Sequence, residues 1–455
     1  MGSSERCRRI TGKGGLGLAF ATFCAGLVLL AGSQTAGAST FEKRPILFVH
    51  GFESAGSNFA SQAMRFESNG YAPSWVMELD YDSTAAVGNQ SEVEKQIEEA
   101  IATLKARTGK SQVDVLGHSE GTSVMYHYLA ESANAAEHRA SVAHYANLDG
   151  QEKNPGVPTL AVWAGRCGDA TCSKPERHME GAENVTIPNA THVQTSTSAE
   201  TFEQAFKSFR GKLPLHDIVP QKKILLAGKA LEFPQNTGLV GDTVEVWPVD
   251  SNGERTTKTP IASIPITDGS EGGGAWGPVA AKAGQRYEFA LVQPTRTVHV
   301  YEEPFVRSDY AIRLLGSAAI ENYTGKNPGS TGAVMIRYEE YWGNQPGEND
   351  ELLVNGLNVC TATLCPWEKE VNAFFAFNWE NKEESTLNED PVLSKPPFLQ
   401  GAQVFVPGAT PPNATVSYQL SSRRGGGLRT LKIPNWEGTT SQVEIFWNDF
   451  ESLNF

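Results

Sequence analysis

Gly117-His118-Ser119-Glu120-Gly121 sets a hydroxyl between two glycines, in the Gly-x-Ser-x-Gly pattern of a nucleophile elbow. A serine so placed can attack a carbonyl when a base takes its proton and a third group orients that base. Of the nine histidines, His192 is the best candidate for the base. It would accept the hydroxyl proton and return it to a leaving alcohol. In the chain order Ser…Asp/Glu…His the acid falls between Ser119 and His192, and two aspartates there follow strand-like runs, Asp149 and Asp169. Asp169 follows the later run, the commoner position. Against it, its spacing after Gly165 is one residue longer than usual, and it lies inside a Cys167–Cys172 loop. Either carboxylate could fix the imidazole tautomer and stabilise the imidazolium. The backbone N–H groups of Phe52 and Glu120 would form the oxyanion hole, one donor being worth about 3–4 kcal/mol. His50 reads as a brace for the loop carrying Phe52, and His118 as non-catalytic.

Elements of the right type surround each of these residues. Val113-Asp114-Val115-Leu116 is a β-branched, apolar run that feeds the elbow, and Met125, Tyr128 and Leu129 give the following helix a face to bury. Arg44 to Val49 reads as a fully buried strand of a parallel sheet, ending in His50-Gly51. Glu183 to Ile187 alternates like a strand. The His192 loop follows it, then a helix with Phe202, Ala205, Phe206 and Phe209 on one face and Gly211 at its end. Thr197 and Glu200 have capping-box spacing at the start of that helix, and Ser91 and Glu94 have it at the start of an earlier one.

These stretches resemble a family of two-domain lipases and carboxylesterases, in which an α/β-hydrolase domain is joined to a C-terminal β-barrel domain. The likeness runs through Arg44-Pro45 to His50-Gly51, Met64-Arg65-Phe66, Asn69-Gly70-Tyr71, Gly117 to Thr122 and Leu148-Asp149-Gly150. It continues through Pro158 to Val162, Thr191 to Gln194 and Asp217 to Pro220, then Pro304 to Arg307 and Asn358-Val359-Cys360. The resemblance implies that the acid is the aspartate of the Leu-Asp-Gly turn, Asp149. It also implies an inserted lid, which this chain lacks room for, because Tyr81-Asp82 runs almost directly into a helix. An open site serving soluble or short esters is then expected.

Arg6, Arg8, Arg9 and Lys13 precede an apolar run and a small-residue site at Ala36-Gly37-Ala38, the pattern of a signal peptide over residues 1–38. The expected mature protein is secreted after cleavage near Ala38. Its cysteines form two close pairs, read as disulfides Cys167–Cys172 and Cys360–Cys365. Their spacing does not suit a zinc site, so neither metal nor cofactor is expected. Removing four positive charges and one negative from the chain's −14 leaves −17. Such acidity argues against nucleic acid as a partner.

Residues 39–216 are expected to form the α/β-hydrolase domain, a mostly parallel sheet flanked by helices. Beyond a Pro/Gly-rich connector, residues 222–455 read as an all-β sandwich or barrel region. Its first part, 222–302, resembles a transthyretin-like sandwich, with 303–455 a second β unit. This region is expected to be an accessory module that contacts a polymer surface, cell-surface carbohydrate or, as the resemblance implies, lipid, although packing against the hydrolase domain would be a sufficient role. The combined expectation is a secreted serine ester hydrolase acting on an ester or lipid through Ser119, His192 and Asp149. The same residues would equally serve a polyester or cutin depolymerase, or an acyltransferase. A hydrolase-fold binding protein with an unassembled triad is the rival outside enzymes.

Overall fold

The computed structural model describes residues 41–85, 90–169, 171–172, 176–316 and 328–450. The expected signal peptide lies outside the described residues. The first half is a six-stranded, all-parallel sheet: β1 (Ile46–Val49), β2 (Val76–Leu79), β3 (Val113–His118), β4 (Val142–Leu148), β5 (Thr159–Ala164) and β6 (Glu183–Ile187). The strand order is β2-β1-β3-β4-β5-β6. Helices α1 (Ala60–Ser68), α2 (Gln90–Thr108), α3 (Glu120–Tyr126), α4 (Ala135–Ser141), α5 (Gln194–Thr197) and α6 (Ala199–Arg210) join the strands.

Strand periodicity explains why β1 is apolar throughout. Ile46 and Phe48 point to one face, where they pack with Phe59, Phe66, Phe202, Phe206 and Phe209. Leu47 and Val49 point to the other, against Ile97, Ile101 and Leu104 of α2 and Met125 of α3. Each fully buried Phe or Leu contributes roughly 1.5–3 kcal/mol. An all-β region follows this three-layer α/β sandwich, which is the fold class expected from the sequence.

Local details depart from expectation at three places. Ser198, not Thr197, caps α6: its side chain accepts from the Thr201 N–H, and Thr197 belongs to the short α5. Ser91 lies within α2, and Glu94 accepts a hydrogen bond from Ser132 across the helix pair. Cys167 and Cys172 form a disulfide as expected, but Cys360 and Cys365 are two buried thiols. Burial pushes both thiols upward in pKa, and the pair hydrogen-bonds within the core. Disulfide formation needs a thiolate, which that environment disfavours.

The β region contains a nine-stranded sheet in which strand Ser441–Phe446 lies between Thr297–Glu302 and Ala333–Ile336, parallel to both. This sheet therefore runs through both sub-segments, 222–302 and 303–455. A second sheet centres on Lys223–Glu232, flanked by Ala275–Lys282 and Asp309–Gly316. In a third, Glu351–Val354 pairs with Thr415–Ser421, which pairs in turn with Leu428–Pro434.

Charged groups tie this region to the α/β layer. Asp80, just past β2, is buried and accepts from the Gly56 N–H at 2.7 Å, Arg313 Nη2 at 2.9 Å and Lys229 Nζ at 2.7 Å. The Asn236 side-chain amide donates to the Ser54 and Tyr81 carbonyls, both at 2.9 Å. These contacts hold the loop after β1, which faces the candidate site.

Candidate active site

Ser119 occupies the turn between β3 and α3 with φ 53° and ψ −121°, a conformation that non-glycine residues rarely adopt. Its glycine neighbours follow from the tightness of that turn. A Cβ at Gly121 would stand 2.4 Å from the Val49 carbonyl oxygen, and one at Gly51 would stand 2.9 Å from the Ser119 Cβ. The Ser119 N–H donates to the Leu148 carbonyl at 3.1 Å, and the Ser119 carbonyl accepts from the Thr122 hydroxyl at 2.7 Å. Thr122 Oγ1 in turn accepts from the Gln151 N–H at 2.7 Å. One threonine thus couples the serine turn to the turn at the end of β4.

That second turn carries Asp149, also at positive φ (48°) and fully enclosed. Its Oδ2 lies 2.7 Å from His192 Nδ1. Its Oδ1 accepts from the Ala164 N–H at 3.0 Å and from Arg177 Nη1 at 3.1 Å. Burial works against the ionised carboxyl. The hydrogen bonds from His192 and Ala164 and the Arg177 charge outweigh it, so the Asp149 pKa sits below the ordinary carboxylate value. Asp169 does different work. Its Oδ1 accepts from the N–H groups of Cys172 at 2.6 Å and Thr171 at 3.2 Å, closing the disulfide loop.

His192 hangs from the loop after β6. The His192 carbonyl accepts from the Thr195 hydroxyl at 2.7 Å and from His118 Nε2 at 3.0 Å, and Thr191 is hydrogen-bonded to the buried Glu340. With Nδ1 donating to Asp149, Nε2 is left with its lone pair for proton transfer. Ser119 and His192 together line two cavities, and no hydrogen bond joins their side chains among the described residues. Free enzymes often hold these groups slightly apart until substrate tightens them.

His118 and His50 are structural in this arrangement. Burial lowers the His118 pKa to about 3, and its ring donates to the His192 backbone. Burial lowers that of His50 to about 4. Its Nδ1 donates to the Gly51 carbonyl at 2.8 Å, and its ring stacks on Tyr81 at 4.4 Å. His50 therefore shapes the loop bearing Phe52. The N–H groups of Phe52 and Glu120 have no hydrogen-bond partner among the described residues, which leaves them free to donate to an oxyanion.

The two cavities beside Ser119 differ in character. One, of about 460 Å³, is polar and includes Gln151, Glu152, Thr122 and Arg177. The other, of about 250 Å³, is largely apolar and includes Phe52, Val193, Pro397 and Phe398. It shares Glu53, Ser54, Tyr338, Asn372 and Phe398 with a further apolar cavity of about 310 Å³ walled by Phe233, Ile336, Phe375 and Leu393. The β region thus supplies most of the apolar wall. Glu370 also comes from it, at φ 58°. Burial, with Asp169 and Glu340 nearby, drives its carboxyl upward, toward the neutral form. None of these β-region residues carried a sequence signal, and neither did Arg177, which lies between β5 and β6 outside any periodic run.

The family model "Lipase (class 2)" matches residues 43–142, and "Lipase C-terminal domain" matches 222–319. A third model, described as a "-like, C-terminal domain", matches 319–451. No curated protein matches the chain in sequence. Among solved structures, Aspergillus fumigatus lipase B is similar over 40% of this chain and 56% of its own, at 13% identity and TM-score 0.29. A thermophilic esterase from Thermogutta terrifontis is similar over 37% of this chain and 89% of its own, at 15% identity and TM-score 0.25. Phospholipase PlaB from Legionella pneumophila is similar over 61% of this chain and 94% of its own, at 7% identity and TM-score 0.27. The chain spans just over half the length of the fungal lipase.

Proposed function

We propose that this chain, whose residues 43–142 match the class 2 lipase model and whose residues 222–319 match the lipase C-terminal domain model, is a two-domain lipase-family protein and an exported serine ester hydrolase working through an acyl-enzyme. One observation carries the reading: the Asp149–His192 pair, 2.7 Å apart, borders the same polar cavity as the serine on the strained turn.

In the first half-reaction His192 Nε2 takes the Ser119 proton as Oγ bonds to the ester carbonyl carbon. Negative charge moves onto the carbonyl oxygen, where the Phe52 and Glu120 N–H groups receive it. The intermediate collapses as the carbon–oxygen bond to the alcohol breaks, and His192 gives its proton to that alcohol. Water then repeats the sequence on the acyl-enzyme and releases the acid. Asp149 keeps the Nδ1 proton facing itself throughout and stabilises the imidazolium. No metal or cofactor enters these steps. The apolar cavities on the Phe398 side suit the acyl group, and the polar cavity on the Arg177 side suits the alcohol.

Ser119→Ala tests the reading. It should abolish p-nitrophenyl ester hydrolysis and labelling by a fluorophosphonate probe, while leaving the circular dichroism spectrum unchanged. Full hydrolysis by the alanine variant would remove Ser119 from the chemistry. A folded wild type that neither hydrolyses esters nor takes the probe would instead be a binding protein on this fold. Rates on triglyceride emulsion, polyester film and soluble esters, with and without an added alcohol acceptor, sort lipase from depolymerase and acyltransferase.

A further inference from the structure

We propose that Arg177 is a positioning residue for the Asp149 carboxylate, fixing its place and moderating its charge, and so setting how far down in pH His192 works as a base; this rests on the ester-hydrolase reading above. The guanidinium is spread over the whole acid turn. Nη1 lies 3.1 Å from Asp149 Oδ1, Nη2 donates to the Gly150 carbonyl, and Nε lies 3.2 Å from Glu152 Oε1. Its plane stacks on Trp163, 4.5 Å from the ring centroid, and its side chain is only 15% exposed. Such a planar fork, held by an aromatic face, is a rigid clamp that a lysine cannot reproduce.

The clamp has something to hold. Asp149 sits at φ 48°, where a non-glycine backbone is strained. Binding the carboxylate and the next carbonyl with one rigid group keeps that turn from relaxing away from His192. Position is the first effect.

Charge is the second. One carboxylate oxygen faces His192 and the other faces Arg177, so the cation draws away part of the negative potential that would favour the imidazolium. The other titratable groups around His192 do not supply that counterweight. His118, its ring 4.7 Å away, is kept neutral by burial, and burial shifts Glu120 and Glu370 toward their neutral forms. Glu152 is paired with Arg177 itself, and Asp169 and Glu340 are bound to Thr171, Cys172 and Thr191. Among the described residues lining the two cavities, Arg177 is the one permanent cation.

The test compares Arg177→Gln and Arg177→Lys with the intact chain, as kcat/KM against pH on a short soluble ester. The glutamine variant should move the acid limb upward by roughly half a pH unit or more and lower the plateau roughly tenfold through the loosened turn. The lysine variant keeps the charge but not the fork, so its limb should stay in place while its plateau falls. A folded Arg177→Gln protein with the wild-type limb overturns the proposal, since a merely structural role would lower the plateau alone. If that variant does not fold, Arg177→Lys decides. A lowered plateau on an unmoved limb supports the clamp, and a wild-type plateau overturns it. Ester hydrolysis and Ser119 labelling in the intact chain show separately whether the parent reading stands.

Discussion

Asp149 and Asp169 carry the same functional group, and what separates them is where their lone pairs go. Asp149 gives one oxygen to His192 and the other to Ala164 and Arg177, while Asp169 gives its Oδ1 to two amides of its own loop. Asp149→Asn should therefore cost about 10⁴-fold in kcat by favouring the wrong imidazole tautomer. Asp169→Asn should stay within roughly tenfold, its loss being confined to a loop. Turnover of the two variants on one ester checks this, and a larger loss in Asp169→Asn would reverse the roles. The contrast also marks what sequence can carry. The serine turn was legible because its glycine–serine spacing is a sequence pattern in itself, although what demands glycine at 121 is the close approach of the Val49 and His50 carbonyl oxygens from a distant part of the chain. The acid was not, because both aspartates end strand-like runs and only a through-space distance to His192 distinguishes them. Arg177 was invisible for the same reason, being defined wholly by the partners that fold around it.

The start of α6 shows how an element can be right and its end wrong. Thr197–Glu200 and Ser198–Thr201 offer almost the same spacing, and the choice between them depends on α5 turning at Ser198. Ser198→Ala should destabilise the fold by about 1 kcal/mol, and Thr197→Ala by less, as read from urea unfolding midpoints. Equal losses would mean that the cap is shared. Strand Lys223–Glu232 was missed for a related reason. Gly228 interrupts its apolar run, and residues 222–455, where the strand lies, carried the all-β expectation without that strand's bounds. In the fold, that glycine lets strand Asp309–Gly316 approach: a Cβ there would stand 1.8 Å from the Ile312 carbonyl oxygen. Glycine signals both a turn and a close approach, and only the neighbouring strand tells which. Where patterns were unambiguous, as in β3 and β6, the expected strands formed.

At the scale of the molecule, the α/β layer and the β region share buried charges that neither could carry alone. Burial opposes ionisation of Asp80, but Arg313 and Lys229 reverse the balance and hold its carboxyl far below the ordinary range. The folded pKa thus lies below the unfolded one. The pair's contribution is complete above the unfolded carboxyl value of about 4 and is lost as pH falls beneath it. Arg313→Met should cost about 3–5 kcal/mol near neutrality by leaving the carboxylate half-paired, and the deficit relative to wild type should shrink in acid. Melting temperatures of both proteins across pH 3–8 test this, and a deficit independent of pH would exclude Asp80 as its source. Nothing in the sequence linked residues 80 and 313, because no local rule spans that distance. The nine-stranded sheet has the same long-range character. Strand Ser441–Phe446 is its central stitch, inserted between partners that precede it by more than a hundred residues. Until Ser441 has left the ribosome, the strands on either side stay two open-edged fragments. This region must therefore assemble after synthesis of nearly all of it, and cells making the protein have to shelter those raw edges in the meantime.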